Sequence, residues 1–550
     1  MDKRERITEI LAELKDISGE QKSDILKAAF EDKKQLAKIF EDGNFPERAA
    51  AKISAEVCDC EFAAAGELCP RYSALKLIPE ASAVRLNVLP LELADGVLKA
   101  ALSNPLDTSV TDELRLISGR LKLCVVPETE LASLIKLFYK FYPAVEQPES
   151  RVIAKTEPEN YAVPPEEKNA AAEFINAILH KAVEYRASDV HFEPLGDITR
   201  VRCRIDGTLF NMLNFDSELH AQIIARLKIA ANMDIAEKRR PQDGRMFYRA
   251  DDGTVDIRIS TLPTIFGEKA VLRLLKQDLS SFELDRLGFE SRDAEILHKA
   301  IKLDSGLILI AGPTGSGKST TLHALMKRLN SSKSNVISIE DPVEYTLKGI
   351  NQVQVNDKIG LSFSNILRSV LRQDPDKIMV GEIRDTETAE LAIRAALTGH
   401  LVLSTLHADN TVSAVSRLLD MGIQPYLLAA SLKYVAAQRL VRRLCPFCMK
   451  EYTADAKTLE LLKCGREARI YRAEGCEHCR HTGSSGRTVI AEILQIDKNL
   501  AEMINSKASS REMLQYAVEH GTKSLHNALA AKILNAEVSA DELYMFEFEE

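Results

Sequence analysis

No apolar run in this chain approaches the ~18 residues that a membrane-spanning helix needs. The start, Met1-Asp2-Lys3-Arg4-Glu5-Arg6, lacks the apolar stretch of a secretory leader. Basic residues are not in excess: 72 Lys and Arg against 81 Asp and Glu leave a formal charge of −9. No global basic surface therefore makes nucleic acid the default partner. Ten cysteines spread over 550 residues do not make the dense pattern of a secreted disulfide scaffold. No internal repeat of solenoid period is present. These absences predict a cytoplasmic protein whose membrane attachment comes only through partners, with a 45% apolar content that supplies cores for several domains.

Composition divides the chain. Residues 1–142 mix amphipathic helical patterns such as Ile7-Ile10-Leu11-Leu14 with β-like runs at Val88–Leu91 and Val97–Ala101, which predicts a compact α/β domain. Across 143–168, Pro143, Pro148, Pro158, Pro164 and Pro165 fall among glutamates, the composition of an extended, solvated linker. Residues 169–282 predict a second domain, with a helix from Ala170 to Arg186 and alternating strands at Thr199–Ile205 and Val255–Ile259. Asp206-Gly207 and Asp252-Gly253 suit hairpin turns there. In 283–550 strands alternate with helices, the pattern of a parallel sheet covered on both faces.

The most specific motif is Gly312-Pro313-Thr314-Gly315-Ser316-Gly317-Lys318-Ser319, set between the apolar run Leu307–Ala311 and a helical stretch that opens at Thr320. Glycines at this spacing let consecutive backbone N–H groups turn inward around a polyphosphate at a helix N-terminus. Lys318 is placed to reach the β- and γ-phosphates, and Ser319 to offer a hydroxyl to Mg²⁺. The chain therefore binds a nucleoside triphosphate. In a parallel sheet ligands lie beyond the carboxyl ends of the strands. Three apolar runs end there in chemistry-bearing residues: Glu340, Asp341 and then Glu344; Glu382; and His407. Glu382 is the candidate to hold Mg²⁺ through water or to orient the attacking water.

Cys445-Pro-Phe-Cys448 and Cys476-Glu-His-Cys479 are two C-x₂-C knuckles. Four thiolates so paired suit a closed, structural tetrahedral Zn²⁺ site within a module spanning 443–488. His478 and His481 lie close by, but a four-cysteine site needs neither. Lys433, Arg439, Arg442, Arg443, Arg480 and Arg487 leave a nucleic-acid-binding ribbon open as the rival reading of this module.

The strings at 313–322, 339–345, 371–376, 381–389 and 398–407 resemble the Walker A, Asp-box, Walker B and His-box motifs of the secretion ATPases, more narrowly those of type II secretion and type IV pilus assembly. Segments at 187–194, 239–245 and 257–264 resemble the domain before the motor in that family. The resemblance implies a RecA-like ATPase core at 283–550, preceded by a PAS-like α/β domain at 169–282 and an N-terminal docking domain. It also implies a homo-hexamer that hydrolyses ATP with Mg²⁺. Arg245, Arg258 and Arg273 would bring positive charge to the phosphates, where one such arginine contributes ~10³-fold or more. The zinc module marks assembly rather than retraction motors. The partners implied are an inner-membrane platform protein and a membrane-bound docking protein, with the ATPase peripheral on the inner membrane. Some relatives bind cyclic di-GMP through an Arg-Leu-Gly start in N-terminal helical repeats. Here that start reads Arg6-Ile7-Thr8, and a second copy begins Lys34-Gln35-Leu36-Ala37, so the glycine is missing from both and cyclic di-GMP binding is not expected. A DNA-handling, conjugation-type motor and a nucleotide-gated scaffold with little turnover are the alternatives.

Overall fold

The computed structural model describes residues 2–14, 17–42, 45–145, 170–251, 253–276, 283–464 and 467–546. The chain forms two compact units, Met1–Gln277 and Asp278–Glu550. The expected linker lies almost wholly outside the described residues, although the helix Glu128–Val145 runs past Pro143. The Asp252-Gly253 turn is likewise interrupted, Asp252 being outside the described set.

The first unit opens with four helices, Lys3–Glu13, Gly19–Glu31, Lys33–Asp42 and Glu47–Cys58. They bury Ile7, Ile25, Leu36 and Ile53 against one another. A four-stranded sheet follows, with β1 (Glu61–Phe62), β2 (Val88–Ala94), β3 (Val97–Leu102) and β4 (Arg120–Val125) in the order β1-β4-β3-β2. The next sheet is fully antiparallel: β5 (Asp189–Pro194), β6 (Ile198–Ile205), β7 (Thr208–Asp216), β8 (Gln242–Ala250), β9 (Gly253–Thr264) and β10 (Gly267–Lys276), ordered β7-β6-β5-β10-β9-β8. Asp206 and Gly207 both adopt positive φ in the β6–β7 turn, as a tight hairpin requires. The helix expected to reach Arg186 stops at Glu184, because Arg186 turns left-handed at φ 52°.

Within this unit, the helix Glu128–Val145 and the helix Ala170–Glu184 share one apolar core. Phe138 and Phe174 lie 6.4 Å apart, and Phe174 meets Phe215 edge-on at 5.4 Å. Asn214 Nδ2 donates to the Gly66 carbonyl at 3.1 Å, and Arg71 Nη1 to that of Asp197 at 2.8 Å.

The second unit is built on seven strands: β11 (Gly306–Ala311), β12 (Val336–Glu340), β13 (Asn351–Gln354), β14 (Lys377–Val380), β15 (Leu401–Leu406), β16 (Leu432–Leu444) and, after a two-stranded ribbon of β17 (Met449–Thr453) and β18 (Arg469–Ala473), β19 (Ser484–Gln495). Their order is β13-β12-β14-β15-β11-β16-β19, parallel except for β19 against β16. Every residue of β11 is buried. Leu307, Leu309 and Ala311 join one core while Ile308 and Ile310 join the other, so both faces are covered and the strand reads as an unbroken apolar run.

Candidate active site and cysteine centre

The phosphate loop leaves β11 and enters the helix Lys318–Leu329. Gly312 sits at φ 150°, and a Cβ there would lie 2.4 Å from Ser316 Oγ and 2.6 Å from the Gln438 carbonyl. Gly317, the helix N-cap, is left-handed at φ 87°. No other residue type meets both demands without strain. Pro313, Thr314 and Gly315 are exposed, Ser316 is buried, Ser319 is exposed and Thr320 half-buried on the first turn. Lys318 Nζ folds back onto the carbonyls of Gly312 and Pro313 at 2.8 and 2.9 Å. Burial holds its ammonium below the ordinary lysine range, with the Glu382 carboxylate working the other way.

Glu382 and His407 follow the ends of β14 and β15 and come together. His407 Nε2 lies 3.8 Å from Glu382 Oε2. Burial and the Lys318 charge hold His407 below the usual imidazole range, against the pull of Glu382, so it is neutral at pH 7. Arg384 ties the cluster to the next strand tip: it pairs with Glu382 and donates through Nη1 to Asp341 Oδ2 at 3.2 Å. Arg417 Nη1 holds the His407 carbonyl at 2.7 Å. The structure thus brings Lys318, Glu382, His407 and Asp341 into one charged cluster.

Glu340 was expected beside Asp341 but points elsewhere. Side chains alternate along a strand, and Glu340 turns inward to accept from Ser338 Oγ at 2.6 Å and Gln352 Nε2 at 2.9 Å, with His323 Nε2 at 3.0 Å. Burial alone would raise this carboxyl, yet these hydrogen bonds hold it below the ordinary value. Glu344 lies half-buried in the following loop. The Val343 amide donates to Gln354 Oε1 and the Leu347 amide to Gln352 Oε1, so β13 straps that loop.

The three arginines belong to the first unit and share one rank across its antiparallel sheet. Arg245 on β8 pairs in register with Arg258 on β9, which pairs with Arg273 on β10. Directly opposed residues share a face, where like charges repel unless neutralised. Asp256 accepts from Arg245 Nε and Nη2 at 2.7 and 2.5 Å, and Asp189 from Arg273 Nε at 3.2 Å.

The four cysteines gather at the end of the β16–β19 hairpin. Sγ–Sγ distances are 3.8 Å for Cys445–Cys476, 3.7 Å for Cys448–Cys479 and 3.8 Å for Cys476–Cys479. Thiolates ~2.3 Å from a tetrahedral zinc stand ~3.8 Å apart, so the donor set fits such an ion. Burial works to raise the Cys479 thiol, but the Cys476 and Gly483 amides and neighbouring thiols bring it down to about 7. His478 stacks on Phe447 at 4.1 Å.

Sequence reasoning did not single out Arg384, Arg417, His323 or Gln438. Gln438, fully buried on β16, alone carried a signal: one amide directly after the apolar stretch Val435-Ala436-Ala437.

A glycine-built phosphate loop, with Glu382 and His407 at adjoining strand tips of a mostly parallel sheet, defines a RecA-like P-loop ATPase. The profile of the type II/IV secretion system protein family matches residues 165–545, and the chain belongs to that family. The MshEN domain profile matches residues 58–142. The type II secretion system protein E of Pseudomonas aeruginosa is 45% identical over 371 residues, 67% of this chain and 74% of that protein. The type IV pilus assembly ATPase PilB of Myxococcus xanthus is 39% identical over 489 residues, 85% of this chain and 86% of that protein. The X-ray structure of the Legionella pneumophila ATPase DotB shares the fold at a TM-score of 0.51 with 19% identity, covering 71% of this chain and 97% of that one. Among the described residues no helix is long and apolar enough to cross a membrane.

Proposed function

We propose that this ATPase powers assembly of a pilus or pseudopilus in type IV pilus or type II secretion machinery, working as a homo-hexamer on the cytoplasmic face of the inner membrane. The observation that carries the reading is the meeting of Lys318, Glu382 and His407 beside the glycine loop, in a chain so similar over 489 residues to a type IV pilus assembly ATPase. Backbone N–H groups of Gly315, Gly317 and Lys318 seat the phosphates, and Lys318 exchanges its two loop carbonyls for their oxygens. Glu382 accepts the proton of the attacking water, while neutral His407 beside it orients that carboxylate. Ser319 and Asp341 would hold Mg²⁺, which neutralises phosphate charge when bound. Glu344 is kept as a second acidic group at this site, and Glu340 positions the β12 tip through His323 rather than meeting the nucleotide.

In the same reading residues 1–142 dock on the inner-membrane platform protein and a membrane-bound docking protein, 143–168 form the linker, and 169–282 supply Arg245, Arg258 and Arg273. Residues 283–550 are the motor, and Cys445, Cys448, Cys476 and Cys479 hold a structural zinc within 443–488. Co-purification of the full chain with a polytopic inner-membrane protein tests the output. Its absence, together with salt-sensitive stimulation of turnover by DNA, would replace this reading with a DNA-handling motor. Phosphate release no faster than that of Lys318→Ala would leave only a scaffold.

A further inference from the structure

The inward-turned N–H groups of a phosphate loop force its carbonyls outward into the protein, where each needs a donor. Lys318 serves the Gly312 and Pro313 carbonyls. The Gly317 carbonyl takes the Thr321 amide at 3.0 Å, at the start of the helical ladder. The Ser316 carbonyl takes neither: its donor is Gln438 Nε2, 2.8 Å away, reaching in from β16. Gln438 is wholly buried, and its amide is oriented by Thr321, whose hydroxyl donates to Gln438 Oε1 at 2.9 Å.

We infer that Gln438 is a positioning residue for nucleotide binding: it locks the Ser316–Gly317 peptide so that the Gly317 N–H faces the phosphates. The peptide unit is planar, with C=O and N–H pointing opposite ways. Fixing the Ser316 oxygen on the core side therefore fixes the Gly317 N–H on the loop's open side. Glycine tolerates either sign of φ, so residue 317 offers no resistance of its own to a peptide flip. A flip would present a carbonyl oxygen to the phosphates in place of a donor. Lys318 must leave its loop carbonyls to reach a triphosphate, whereas Gln438 has no such second duty and stays. Gln438 Nε2 lies 3.1 Å from where a Cβ on Gly317 would sit, and the Gln438 backbone carbonyl 2.6 Å from a Cβ on Gly312, so this residue underlies both ends of the loop.

The inference rests on residues 312–319 being the triphosphate seat. The test measures affinity of the full chain for ADP and for ATP with Mg²⁺ by calorimetry, alongside KM, kcat and the nucleotide-free melting temperature. Gln438→Leu, nearly isosteric, is expected to weaken affinity and raise KM about tenfold or more, since a buried carbonyl loses its donor, while kcat at saturation falls less than threefold. Thr321→Val shows a smaller loss, most of which Thr321→Ser recovers. A folded Gln438→Leu with unchanged affinity, or one that loses kcat at constant KM, overturns the inference. If Gln438→Leu does not fold, equal affinities of Thr321→Val and Thr321→Ser overturn it. Lys318→Ala in the same assay separates the premises: unchanged affinity there removes the seat itself, not the role of Gln438.

Discussion

The phosphate loop of the second unit is made from main chain, whereas the arginine rank of the first is made from side chains brought level by strand register. In the loop, Gly312 and Gly317 supply backbone freedom, and the groups aimed at the ligand are amides every residue carries. In the rank, Arg245, Arg258 and Arg273 sit on three consecutive strands and come level only because β8, β9 and β10 pair in the register they do. A main-chain site fails when a side chain is added. A side-chain site fails when one is removed.

The sharpest test of the first half is Gly312→Ala. The new Cβ would collide with the Gln438 carbonyl and Ser316 Oγ at a φ that alanine avoids, so nucleotide binding measured by calorimetry is expected to vanish. Retained binding would show that main-chain shape does not control the site. Next in size is Glu382→Gln, which removes a side chain and leaves the loop intact. Turnover is expected to fall ~10²- to 10⁴-fold with Mg·ATP still bound, and full turnover in a clean preparation would remove Glu382 from its role.

Within the rank the effects divide. Arg245→Ala strands Asp256, which is 2% exposed, and is expected to lower stability by about 1–3 kcal/mol in thermal or urea unfolding. Arg258→Ala is expected to cut kcat by about tenfold or more, if its charge serves the phosphates. Unchanged kcat in Arg258→Ala would remove that charge from the phosphates. The smallest effect is electrostatic. The Glu382 charge favours the imidazolium of His407, so Glu382→Gln moves the His407 titration, followed by NMR, still further below the ordinary imidazole range. By the same sign, an acid limb of turnover governed by His407 falls below pH 6.5 and not above it.

These contrasts explain what was legible beforehand. Glycine spacing around Lys318 marks a backbone shape, and backbone shape is written locally, so the loop and its helix stand where the motif puts them. The paired C-x₂-C knuckles were legible for the same reason, each pair being a local turn. Glu340 and Asp341 were not separable, because neighbours at a strand tip point to opposite sides and the tip's last residue sets which one turns inward. Arg384 was invisible because its value lies in bridging Glu382 and Asp341, which follow two different strands. Gln438 reaches the loop from β16, far along the chain, and only sheet order makes them neighbours.

β16 itself is continuous from Leu432 to Leu444, with Gln438 midway and Cys445 directly after its end. An extended strand rises ~3.3 Å per residue, so the backbones of Gln438 and Cys445 stand up to ~23 Å apart, with a register shift between Arg442 and Leu444 on the way. One strand, laddered to β19, thus carries both the donor to the Ser316 carbonyl and the first thiol of the knuckle.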